Sequence, residues 1–136
     1  MPQDRAEAVR WWKKAIEGGS AGAGFWLGIA YQNGEGVPQD YEESWRWFRR
    51  AGNLGDTSAQ HHLGIAYFMG KGVPQDYTEA YFWSNIATAM GEESERNTFV
   101  GLRDQIAAKL PREDLSAAQK RCLQWLEDFE KRKAQK

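Results

Sequence analysis

The chain has 136 residues, 41% of them hydrophobic and seven of them tryptophan, the size of one domain able to bury about two-thirds of its unfolded surface. Its 18 basic and 19 acidic residues are interspersed and leave a net charge of −1, which excludes the electrostatic footprint of a nucleic-acid or anionic-membrane binder. Cys122 is the only cysteine, so no intrachain disulfide forms, and no apolar run reaches the roughly 18 residues that cross a bilayer.

The first predicted element is a helix over residues 5–17, opened by Asp4-x-x-Glu7 and carrying Ala8, Trp12 and Ala15 on its expected inward face. Gly18-Gly19 ends it. A second helix is predicted over 22–33, with Ala23, Leu27, Ala30 and Tyr31 at helical spacings of three and four. Gly28 lies inside it, where glycine costs about 1 kcal/mol relative to alanine; the missing side chain points to a close approach by a partner helix. Gly34-Glu35-Gly36 ends this helix and Pro38 keeps the connector extended. Asp40-x-x-Glu43 then starts a third helix over 41–53, with Ser44, Phe48 and Ala51 inward and Gly55 as its stop.

The next 36 residues repeat this pattern. Residues 27–43, LGIAYQNGEGVPQDYEE, return as LGIAYFMGKGVPQDYTE at 63–79, with 13 of 17 positions identical. Helices are accordingly predicted over 58–69, around Ala59, Leu63, Gly64, Ala66 and Tyr67, and over 77–90, behind Asp76-x-x-Glu79. Ala80, Ser84 and Ala87 face inward there, and Ser84 interrupts the aromatic column of Trp12 and Phe48, so the last unit is expected to meet the C-terminal segment differently. Trp11, Trp47 and Trp83 share one register, as do Gly19, Gly55 and Gly91. Pro2-Gln3-Asp4 matches Pro38-Gln39-Asp40 and Pro74-Gln75-Asp76, which puts Met1 in the column of Val37 and Val73. The chain therefore reads as starting in the middle of a unit, as if cut from a longer parent. No signal peptide stands at this start, which leaves both cytoplasm and periplasm open.

Beyond residue 91 the period fades. A helix over 94–110 presents Phe99, Leu102, Ile106 and Leu110, Pro111 punctuates, and a helix over 112–131 presents Leu115, Ala118, Cys122, Trp125, Leu126 and Phe129. This pair is expected to cap the array, because the outer face of a terminal repeat meets water. The basic run Lys131–Lys136 reads as a frayed, solvated end.

The string LG.AY..G.GVPQDY.EA..W...A resembles the Sel1-like repeat, a relative of the tetratricopeptide repeat lengthened to 36 residues. The ending L..ED..AAQK...QWLE is similar to the C-terminal helices that often follow the last such repeat, mostly in bacterial proteins. The resemblance implies an all-α, right-handed α/α superhelical solenoid and a role as a non-enzymatic adaptor that binds a protein or peptide. It divides one solenoid domain into a partial repeat at 1–19, full repeats at 20–55 and 56–91, and capping helices at 92–136. In tetratricopeptide repeats the concave surface is lined by the first helix of each unit, beside the fixed Leu-Gly and Tyr. Carried over, those positions are Phe25, Ile29, Gln32 and Asn33, then His61, Ile65, Phe68 and Met69. Several are apolar where the repeat does not demand it, and exposed apolar patches mark interaction sites; Phe25, Ile29 and Phe68 have the competing role of filling the core between repeats.

Other motifs are absorbed by the repeat. His61-His62 are adjacent on a helix and point about 100° apart, so they cannot close on one metal ion. Cys122 lacks a histidine partner and reads as a small core hydrophobe. Glu42-Glu43 and Glu92-Glu93 sit at helix starts, where the dipole favours them. The GEG and GKG runs lack a Walker lysine and a preceding strand. No cofactor is called for.

Two alternatives remain. The cysteine-rich branch of the family suggests a penicillin-binding or β-lactamase-like activity, but its cysteine pair per unit is missing and no S-x-x-K occurs. The other is a self-associating structural module, in which Trp11, Trp12 and Ile16 offer an open apolar face to a second copy.

Overall fold

The computed structural model describes residues 4–135, and every regular element among them is a helix. In chain order these are α1 (Arg5–Glu17), α2 (Ala21–Asn33), α3 (Tyr41–Asn53), α4 (Thr57–Met69), α5 (Tyr77–Met90), α6 (Glu93–Ala107) and α7 (Arg112–Ala134). The Met1, Pro2 and Gln3 positions of the repeat register lie outside the described residues. α2 packs along α3 and α4 along α5, while α1 lies on α2 and α3 on α4. The result is a stack of helix pairs in which each second helix is shared between its own partner and the next unit.

The helix starts follow local chemistry. Asp4, Asp40 and Asp76 each accept the amide of the residue three further on, at 2.9, 3.2 and 3.1 Å. The reciprocal half of the expected capping box is absent at Asp40 and Asp76. Their own amides instead donate to Tyr31 O and Tyr67 O, at 2.8 and 2.9 Å, so the preceding helix takes the donor that Glu43 and Glu79 would have accepted. Those glutamates turn to Arg46 and Arg121. α2 and α4 begin one residue earlier than the pattern suggested, because Ser20 and Asp56 cap Ala23 and Ala59. Gly34 and Gly70 end these helices in the left-handed conformation, at φ 71° and 69°.

Close packing explains the interior glycines. A side chain at Gly28 would strike the Phe48 ring, and one at Gly64 would strike Ser84 Oγ. Ser84 therefore faces α4 on the expected inward side, and the last unit meets the C-terminal segment through its neighbours Phe82 and Trp83. Ser44 Oγ donates to Gly28 O at 2.7 Å, whereas the buried Ser84 hydroxyl has no partner.

Three apolar clusters run along the stack. The central one joins Trp45, Phe48, Ala51, Leu63, Phe82, Trp83 and Ile86 with Cys122 of α7. A second links Val9 and Ile16 of α1 to Ala23, Leu27 and Ala30 of α2. A third sets Ala80 and Tyr81 against Ile106 of α6 and Ala118 of α7. The inward face of α1 is therefore Val9 and Ile16, and not the expected trio: Ala8 and Trp12 are half-buried and Ala15 is exposed. The reason is that α1 packs mainly on α2, through the side that carries Val9 and Ile16, whereas Ser44, Phe48 and Ala51 in α3 also have a helix over them.

At the other end α6 stops at Ala107, three residues short of expectation, and Lys109 and Leu110 tighten the exit through bonds to Ile106 O and Ala107 O. α7 runs on through the basic segment to Ala134, with Lys131–Glu127 and Lys133–Glu130 ion pairs in place of a frayed end. Cations in the last turn suit the negative end of the helix dipole. α7 docks on α5 through Cys122, whose thiol lies 3.5 Å from Phe82 O, and through the Arg121 guanidinium, 4.0 Å above the Phe82 ring. Trp125 packs edge-on to Trp83 and donates to Asn53 Oδ1 at 3.3 Å, tying the cap back to the end of α3.

Candidate protein-interaction groove

The first helices of the units, α2 and α4, touch one another along one side of the stack, and α6 continues the row beside α4. All eight positions singled out from the sequence lie on α2 and α4, and the structure separates them by burial. Phe25 and Ile29 are half-buried against the central cluster. Phe25 also holds His62 at 5.3 Å and Phe48 at 5.8 Å between ring centroids, so it fills the space between units while showing one edge. Phe68 leans on Tyr77 at 5.8 Å and on the third cluster. Ile65 and Gln32 are half-buried. Asn33 and Met69 are exposed, Met69 to 61%.

His61 packs against Phe99, 4.8 Å between ring centroids with the planes tilted by 38°, and lines an open hollow of about 300 Å³ with Phe25, His62, Glu95 and Thr98. Burial and the neighbouring His62 push its pKa down, against a weaker upward pull from Glu95, which favours the neutral ring. Its Nδ1 is buried without a partner. His62 turns away, its Nδ1 donating to Ser58 O at 2.8 Å, and the two rings stand 85° apart. Asp56, at the entrance of α4, has its pKa raised chiefly by burial, in part offset by the Ala59 amide.

Two residues of this row escaped the sequence reading. Trp26 is 51% exposed and stacks on Trp12 of α1, 6.3 Å between centroids. Its column holds His62 in the next unit, so comparing the two repeats could have shown an aromatic pair there. Phe99 belongs to the non-repeating segment and carried no such signal. Trp26, Ile29, Trp12, Ala8, Arg5 and Glu35 border a largely apolar hollow of about 350 Å³ between α1 and α2.

The expected open face on α1 needs one correction. Trp11 is exposed and Trp12 half-buried, but Ile16 is 2% exposed. It points into the α1–α2 cluster, with its Cδ1 against Gly24, and is unavailable to any partner. The tryptophan column at period 36 is likewise graded, from 63% exposed at Trp11 to 5% at Trp83. Cys122 is buried and its thiol pKa is pushed up by that burial, so it stays a protonated core side chain. No described helix is long and apolar enough to cross a membrane.

A stack of helix pairs with partly exposed apolar residues along the first-helix row defines a helical-repeat solenoid. The Sel1 repeat family matches residues 1–20, 23–56 and 57–92, and the chain belongs to that family. Among solved structures it is similar to a protective antigen present in uropathogenic Escherichia coli strains that displays an SLR fold. The two share 33% identity at a TM-score of 0.80, covering 91% of this chain and 26% of the antigen's. It is also similar to a Sel1 repeat protein from Oxalobacter formigenes, with 37% identity over 61% of this chain and 63% of that one, at a TM-score of 0.58. No curated protein matches the chain. Sel1 repeats commonly serve as protein-interaction modules, and proteins of this fold are generally scaffolds without catalysis.

Proposed function

We propose that the chain works as one solenoid domain, a scaffold that binds a partner protein or peptide along the row formed by α2, α4 and α6. The observation that carries this reading is the pair of large apolar side chains left in water on that row, Trp26 at 51% and Met69 at 61% exposure. Burying an aromatic anchor of this kind is a common source of binding energy at interfaces. The half-exposed edges of Phe25, Ile29, Ile65 and Phe68, with polar Gln32 and Asn33 and the neutral His61, supply a surface that suits an apolar segment with a few hydrogen-bonding groups.

The test follows from burial. Phe68 and His61 hold Tyr77 and Phe99, so charges there would disturb the fold as well as the surface. Met69→Glu changes an exposed position without a ring partner, and Trp26→Glu changes an exposed ring that also stacks on Trp12 of α1. Pull-down from cells of the source organism is expected to recover a protein with the wild-type chain and to lose it with the double variant at unchanged helicity, and to be weakened by Met69→Glu alone at unchanged Tm. Equal recovery with both chains would remove the row from consideration.

A further inference from the structure

The hollow of about 300 Å³ over α4 is bordered on both sides by the chain's own helices, α2 and α6. Its lining combines the rings of Phe25, His61 and the buried Phe99 with oxygen acceptors on Ser58, Thr98 and Glu95. Among the described residues no Lys or Arg borders it; Arg96 turns its Nε to Gly91 O, 3.2 Å away. α6 begins 36 residues after α4, as α4 does after α2, so Glu95 stands in the column of Ala23 and Ala59, both buried. The carboxylate is a departure from the repeat, and it is held in place. Oε1 accepts the Thr57 hydroxyl at 3.3 Å and the Glu92 amide at 3.2 Å. Oε2 takes part in neither bond, and no ion pair among the described residues includes Glu95. Asp56, whose pKa is raised by burial, is pushed further up by the charge of Glu95. His61 offers no compensating charge: a protonated ring would carry an N–H at the buried, unpartnered Nδ1, and burial and His62 lower its pKa.

We propose that this hollow takes an arginine side chain of the partner, its guanidinium donating to Glu95 Oε2 and lying along the Phe25 and His61 rings. This rests on the α2–α4–α6 row being the binding surface, and it names the chemistry of one contact there. Three features choose the ligand. A fixed carboxylate with one oxygen open and no cation beside it attracts positive charge, and an arriving cation relieves the repulsion between Glu95 and Asp56. Aromatic rings favour a cation near their faces, arginine more often than lysine. The carboxylate and hydroxyls of the lining can all accept, and a guanidinium brings five N–H donors in one plane, where an ammonium has three on a compact head. An acidic side chain would meet Glu95 with no cation to receive it. An apolar one would cover Oε2 without giving it a partner, at the cost of its desolvation.

The experiment titrates the full, isotope-labelled chain with N-acetyl-arginine amide and follows its amide NMR shifts, with N-acetyl-citrulline amide as the neutral isostere. Saturable shifts at Ser58, His61, Glu95 and Thr98 are expected with arginine, at a Kd on the order of a millimolar for one side chain. Citrulline should bind at least about ten-fold more weakly, because it lacks the charge-assisted bond. Glu95→Gln keeps an acceptor for Thr57 and Glu92, so Tm should hold while arginine binding weakens by about the same factor. The arginine–citrulline comparison uses the unaltered protein and stands even if that variant unfolds. No saturable shift at these residues, or equal affinity for the arginine amide and its citrulline or lysine counterpart, overturns the proposal. Met69 lies outside the hollow, so the two readings fail separately. Loss of the partner with Met69→Glu, beside absent arginine binding, would overturn the pocket and leave the row standing. Arginine binding that Glu95→Gln weakens, beside a pull-down indifferent to Trp26→Glu and Met69→Glu, would remove the row and leave the pocket.

Discussion

Gly28 and Gly101 are both glycines inside helices, and their surroundings give the same substitution opposite signs. At Gly28 an added methyl meets three atoms of the Phe48 ring, which is at 0% exposure and cannot withdraw. Overpacking of this kind costs about 1–3 kcal/mol, which outweighs the ~1 kcal/mol of helix propensity gained. At Gly101 nothing lies within 4 Å, so Gly101→Ala should stabilise by up to about 1 kcal/mol. Urea unfolding of the two variants checks this; a stabilised Gly28→Ala would show that α2 and α3 slide apart at no cost. His61 makes a second prediction at this scale. Its pKa is lowered in the folded chain, so on acidification the unfolded state takes up the proton first. Stability on this account is present above the ordinary value of 6.5 and lost as pH falls below it, through the folded value. His61→Phe should flatten that part of the Tm–pH profile, and a profile with an unchanged slope would contradict the assignment. Asp56 shifts the opposite way, and its contribution declines as pH rises above 3.8.

At the scale of elements, the helix pairs were legible from glycine, proline and aspartate spacing because those signals are local. α1, α3 and α5 fall where the pattern placed them, and α2 and α4 differ by one residue through the caps at Ser20 and Asp56. What escaped was contact between elements. The Asp40 and Asp76 amides were spoken for by the preceding helix, and Trp26 stacks on Trp12 of α1. The candidate row was found as a set of positions, but their division into anchors and core depends on neighbours 36 residues away. α7 offers the test for this scale. Cys122 is at 1% exposure beneath it, so the thiol should resist labelling by a disulfide reagent until α7 lifts. Trp125→Ala removes the contacts to Trp83, Phe129 and Asn53 and should speed labelling by about ten-fold or more if at least ~1.4 kcal/mol of docking is lost. Labelling at the wild-type rate would mean that α7 is held elsewhere.

Across the whole molecule, stability in such a stack is shared between neighbouring units. The α1–α2 cluster is held from one side only, while the central cluster draws on four helices. Amide exchange should therefore be faster in α1, at Val9 to Ile16, than at the matching residues Trp45 to Gly52 of α3; the reverse order would mean that the face around Trp12 is covered in solution. The sequence by itself determined the repeat, the helix pairs, their stops and starts and the family, because each rests on residue types at fixed short spacing. Only the tertiary structure decided which side of α1 is inside, that Ile16 is buried and Trp26 is not, and where α7 docks. Those outcomes depend on which helix lies over which face, and one spacing pattern is compatible with a covered face and an open one.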